Sequence, residues 1–510
     1  MKSSKTYLQI SAFTFLVLIV VTLFSVLLSG CDEDDETKIF TREGITYKVN
    51  YDGITCELIS IEAGIVSELD IPSVVDKYTV NSIRQSAFFN AKGLTKVIIP
   101  DSIVTIGGSA FAQCADLTDV IIGNGTAEIG VCAFADCVNL SRVTIGNNVK
   151  VIGGSAFRNC KALVEINIPE SVTDIESGAF SDCSSLESVT IPDGVITISD
   201  GMFSGCANLT DVIIPDSVTA IGNSAFFGCV KLDGITIPDG VTTIGDLAFL
   251  DCDSLESVNI PPNVTYIGEL TFSGCDNLVK VTLPDVLTCI GDSAFSFCTK
   301  LAEIHIPDSV VEIGENAFAY CESLVDMTLP DNVTVIREKT FHGCVSLNAV
   351  NLGSDIAIIE NEAFYNCKAL SNVEITDGVT SIGERAFYCC ENLTTVTVPG
   401  GVTKIGEGAF AECYGVTNVT IGNGVVTIGA EAFLNCYQLA EINIPESVTK
   451  IGALAFYNCS GLMRAFFEDT FGWYVNLKTP DSRETLNVDD PRRAAEYLTE
   501  SFYEKYWYKK

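Results

Sequence analysis

Sixteen cysteines recur every 23 residues from Cys114 to Cys459, without one insertion or deletion. The ladder begins Cys114, Cys137, Cys160, Cys183, Cys206, Cys229 and keeps that step to its end. A register held this long requires a stacked array, in which each unit packs only on its two neighbours. Such an array grows without needing a new core. It therefore overrides the several separate domains that 510 residues would otherwise suggest.

The unit from Leu209 to Cys229 reads L-x-x-V-x-I-P-x-x-V-x-x-I-G-x-x-A-F-x-x-C. Val212 and Ile214 alternate with Asp211 and Ile213, the period of a strand. Pro215 ends that strand, because it has no N–H to give a ladder. Val218 to Ile221 is a second short β-prone run, and Gly222 turns the chain out of it. Ser224 to Cys229 is too short for a stable helix and predicts a single helical or 3₁₀ turn. Stacking such units predicts a repeat solenoid with parallel strands on two sides and caps at both ends. It would have about 17 coils, counting a variant one with Ala91 at the cysteine position, and extend ~80 Å. Leu, Val, Ile, Phe and Cys columns would fill its interior.

The cysteine column has three readings: a small buried packing residue, disulfides between coils, or thiolate metal ligands. Parallel coils hold neighbouring Cβ atoms about 4.8 Å apart, whereas a bridge prefers about 3.8 Å and facing vectors. No C-x-x-C pair occurs. Both points favour packing. Cys31, Cys56, Cys132, Cys289 and Cys389 lie outside the ladder.

Composition narrows the function classes. Sixty-six acidic against 30 basic residues give a formal charge of −36, which should repel nucleic acid and anionic lipid surfaces. Only His305 and His342 supply imidazoles, and neither G-x-S-x-G nor H-E-x-x-H is present. The expectation is a protein that is not an enzyme and takes no cofactor or metal.

The first 30 residues read as an export signal. Lys2 and Lys5 precede an apolar run from Leu8 to Leu28, and Leu28-Ser29-Gly30-Cys31 follows. Those four residues resemble a bacterial lipobox, which would place a lipid anchor on Cys31. An uncleaved membrane anchor is the other reading. Residues 31–37 would be an acidic tether and 38–93 an N-terminal cap with a first variant repeat. The solenoid proper would run over 94–462, and 463–510, holding both tryptophans, would form an aromatic C-terminal cap.

Outward positions of the first strand are the candidate binding face: Asp119, Arg142, Glu165, Asp211, Lys280, Glu303 and Asp326 in one column, His305 in the next. The unit pattern resembles the BspA-type leucine-rich repeat family, from about Leu94 to Leu462. That resemblance implies a secreted or surface protein with adhesive function toward host-matrix proteins or other cells, and no shared catalytic residues. Its partners would be extracellular proteins or cell-surface components. Two other roles stay open: a structural spacer or surface-layer component, and carbohydrate or cell-wall binding through the aromatic C-terminus.

Overall fold

In each unit, strand alternation sets what faces inward. In the first strand, Asp211–Ile213, Val212 is buried between exposed Asp211 and Ile213. In the second, Ala220–Ile221, Ile221 is buried. Each residue pairs in parallel with the residue 23 positions away, as Val189 does with Val212 and Ile198 with Ile221. A repeat with no slip leaves no other register that keeps every apolar side chain inside. The result is a parallel β-solenoid of about 18 turns with almost no helix. Residues 38–62, 66–476 and 483–510 are described in this structure, a computed structural model. The export signal, the acidic tether and Cys31 lie outside the described residues.

The third side differs from the helical or 3₁₀ turn expected there. Between Gly153 and Cys160, the N–H groups of Ala156, Arg158 and Cys160 donate to carbonyls three residues back. The alternate donors Ser155, Phe157 and Asn159 reach Ser177, Ala179 and Ser181 of the next coil at 2.8–2.9 Å. Ser155 and Asn159 carry φ of +54° and +61°. These left-handed residues break any continuous 3₁₀ run, so tandem turns form and build a third ladder between coils.

Inside, the Phe rings stack coil on coil from Phe88 to Phe456, with the first pair 4.6 Å apart and the last 5.3 Å. All sixteen ladder cysteines are buried. Each Sγ donates to the backbone carbonyl of the Phe in the preceding coil, as Cys229 does to Phe203 at 3.3 Å and Cys344 to Phe318 at 3.1 Å. The twenty cysteines among the described residues are all free thiols.

Both ends are closed differently from the middle. Ile39–Arg42, Ile45–Val49 and Thr55–Ile61 form an antiparallel meander, and Thr55–Ile61 then pairs in parallel with Tyr78–Ile83 to start the second-strand ladder. At the other end Trp507–Lys509 lies antiparallel on Lys450–Ile451 and terminates that ladder. Helix α1, Pro491–Glu496, begins with Asp490 as its N-cap and packs on Arg464–Phe467, the last first-strand segment. Trp473 and Trp507 are each 1% exposed beneath this cap.

Candidate binding face

Because the first strand alternates, its two outward columns face solvent along the whole array. Arg142, Glu165, Asp211, Lys280, Glu303, His305 and Asp326 are exposed there, and Asp119 is half-buried. The Arg142 guanidinium covers Asp119 and donates to its carboxylate, while Thr118 Oγ1 donates to it at 2.7 Å. The Arg142 hydrogen bond, then that of Thr118, hold the Asp119 carboxyl below the usual carboxylate range.

The first-strand sheet is not continuous. Glu165 and Gly234 make only isolated bridges to Ser188 and Ser257, and residues 301–307 form no strand. These three coils stand 69 residues, or three coils, apart. The second-strand ladder breaks with the same spacing, after Asp174–Ile175, Thr243–Ile244 and Glu312–Ile313. Ile166, Ile235 and Ile304 occupy the inward position in these coils, where Val143, Val189, Val212, Val258 and Val281 stand nearby. The extra methylene does not break a strand by itself, since Ile442 lies within the continuous strand Glu441–Ile444.

Two of the interruptions open into shallow hollows. One, of about 520 Å³, spans Lys280–Leu283, Glu303–Ile306 and Asp326–Thr328. The other, of about 430 Å³, spans Ser141–Thr144, Glu165–Ile168 and Ser188–Thr190. The first thus gathers Lys280, Glu303, His305 and Asp326, and the second gathers Arg142 and Glu165. Asp119 is tied to Arg142, and Asp211 belongs to neither hollow. Among the described residues, Lys280, Glu303 and Asp326 enter no ion pair within 4 Å, so their charges remain directed at solvent. The peptide groups of Glu303 to His305 also lie outside the strand ladder. Charged heads of both signs, an imidazole and open backbone groups over an apolar floor of Val281 and Ile304 suit recognition of a polar chain. The strand alternation locates the face; the interruptions that shape it are not signalled by any residue type alone.

No group of three or more His, Cys, Asp or Glu is placed to hold a metal ion among the described residues. There too, no helix is long and apolar enough to cross a membrane. In the C-terminal cap the tryptophans are buried, and the outward aromatics are Phe466, Phe471 and tyrosines. Tyr474 and Tyr508 stack at 5.7 Å, with Arg483 4.7 Å over the former and Lys450 5.9 Å over the latter.

Comparison with known proteins agrees with this geometry. The profile of the BspA type leucine rich repeat region matches residues 59–186, 127–255, 173–288, 242–370 and 334–463. A leucine-rich repeat protein from Bacteroides ovatus is similar at 28% identity and a TM-score of 0.58, over 84% of this chain and 100% of that one. A leucine rich cell surface protein from Faecalibacterium prausnitzii shares 30% identity over 76% of this chain and 95% of its own, with a TM-score of 0.44. No curated protein matches.

Proposed function

The chain belongs to the BspA-type leucine-rich repeat family, and from that premise we propose that it is a non-enzymatic binding protein of the cell surface. Its ligands are extracellular proteins or components of other cells, held on the first-strand face. A lipid on Cys31 anchors it to a membrane. The observation that carries this reading is the hollow at residues 280–328, where Lys280, Glu303, His305 and Asp326 converge at a break in the sheet. Repeat arrays present such extended faces to partners. The apolar run from Leu8 to Leu28, just before Cys31, supports export.

The test is capture of host-matrix and cell-surface proteins by the full chain and by a variant with these four residues changed to Ala. Loss of capture by a folded variant supports an adhesin. Unchanged capture and unchanged cell behaviour with the face altered would point to a spacer or surface-layer component. Replacing Cys31 with Ser should abolish metabolic lipid labelling, and undiminished labelling would remove the anchor from the proposal.

A further inference from the structure

A second surface lies on the turn side, away from the first-strand face. Five rings follow one another along it over five coils, stacked except between Tyr320 and His342, which are tilted by 55°. Phe297 and Tyr320 are 4.6 Å apart, Tyr320 and His342 5.2 Å, His342 and Tyr365 4.6 Å, and Tyr365 and Tyr388 4.9 Å. The buried Phe column already fills the core, so this stripe is additional to what the fold needs. Phe297 is 49% exposed and Tyr320 36%.

Two of the rings stand where the backbone disfavours them. Phe297 and Tyr320 have φ of +60° and +61°. In most other coils this position is Asn, Asp or Gly, as at Asn159, Asp182, Gly228 and Asn366. Those residues adopt the left-handed region at low cost, whereas a bulky aromatic does not. Gly343 then makes room for the stripe, since a Cβ there would lie 2.7 Å from Tyr320 Cδ1. The left-handed conformation of a bulky side chain opposes folding and offsets what the ring pairs contribute. Such outliers gather where a protein meets a partner.

The surroundings indicate the partner's charge. Lys339 is pulled toward Glu338, Glu362 and Glu315, and its pKa rises chiefly through its hydrogen bond to Glu338. Glu362 also lies 3.5 Å from His342 Nδ1. Glu412 sits close enough to Tyr388 to add to burial in raising its phenol. Among the described residues, Lys339 is the one Lys or Arg within ion-pair distance of these four carboxylates, and Glu412 accepts from Tyr414 and Asn435, on a chain whose formal charge is −36. Stacked rings also present their edges outward, which leaves few open faces for sugar rings. We propose that this stripe docks an extended, basic protein segment, with Lys or Arg heads pairing with the carboxylates and their aliphatic stems lying along the ring edges.

The test measures binding of the full-length chain to a fluorescein-labelled octapeptide of alternating Arg and Gly, at physiological ionic strength. The charge-neutral double variant Phe297→Asn with Tyr320→Asn separates the stripe from general attraction to an acidic protein. The variant should bind about tenfold more weakly. Its melting temperature should be unchanged or higher, because Asn accepts the left-handed conformation. A Gln pair should behave alike, since Gln113 already stands at the same position with φ of +62°. Unchanged peptide affinity in either variant would overturn the proposal. So would a melting temperature lowered in both, which would make the rings structural. Binding of a neutral β-linked hexasaccharide that depends on Phe297 and Tyr320, with the peptide indifferent to them, would overturn the basic partner.

Discussion

At the scale of single residues, the cysteine ladder joins packing to hydrogen bonding. A Cys at this position fills a small apolar space and directs its S–H at the Phe carbonyl of the coil before, as Cys183 does to Phe157 at 3.2 Å. Ala would leave that contact empty; Ser would keep a donor but bury a more polar atom. Burial also opposes ionisation and pushes the thiols of Cys183 and Cys344 up to about 12 from an ordinary 9.0. A raised acid favours the folded state while the thiol stays protonated. Its contribution is complete below pH 9, the unfolded value, and is lost as pH rises toward 12. A ladder of such groups predicts unfolding by base that begins above about pH 9, followed by circular dichroism. Replacing Cys183 and Cys344 by Ala should make that transition shallower, whatever it does to stability at neutral pH. The Phe column gives a second prediction. Phe226→Ala should cost about 3–5 kcal/mol in denaturant unfolding, because the rings of Phe203 and Phe249 hold the cavity open on both sides. The packing role of these columns is readable from the 23-residue spacing, while the acceptor of each thiol is not. Nothing in the spacing says that a carbonyl of the previous coil lies within reach.

At the scale of the coil, two of its three sides are legible. Alternation at Val212 and the run ending at Ile221 mark the two strands, and Pro215 and Gly222 mark their ends. The third side reads ambiguously because a six-residue apolar stretch has no period of its own. Its clue is Asn159, Asp182 and their equivalents, residues that tolerate positive φ and so favour tandem turns over a helix. Asn159→Ala should therefore cost about 1–2 kcal/mol through backbone strain, although the side chain is partly exposed. The sheet interruptions lie beyond this kind of reading, since Ile304 stands at an interruption and Ile442 stands within a strand. They have a measurable consequence. Amides of Glu303 to His305, outside the ladder, should exchange with deuterium faster than the ladder amides of Asp326–Thr328 in the next coil. Equal protection of the two segments would mean that the sheet is closed at the hollow and that the hollow is not a standing feature of the face.

At the scale of the molecule, each coil meets only its two neighbours, so stability should be a sum over coils and interfaces. The array is legible from one column of cysteines, and its caps from the loss of that column. The role of the C-terminal cap is less so, because its tryptophans look the same in sequence whether they seal the stack or face a ligand. Both are buried, and Trp507–Lys509 occupies the strand edge that the last coil would otherwise expose. Between residues 165 and 313 the interruptions fall every third coil, and there they make a sharper demand than additivity alone. Removing residues 186–254 deletes three whole coils, joins Ser185 to Leu255, and restores both the 23-residue register and the three-coil spacing between the breaks at Glu165 and Glu303. It leaves the hollow at 280–328 intact. The shortened chain should fold cooperatively, lose about 14 Å of length by small-angle scattering, and keep its ligand. Removing residues 209–231 preserves the 23-residue register but leaves only five coils between those breaks. If the three-coil spacing reflects strain relieved at intervals along the stack, the one-coil deletion should be the less stable per coil. If coils are independent units, the two deletions should lose stability in proportion to the coils removed, and a denaturant series on both distinguishes the cases.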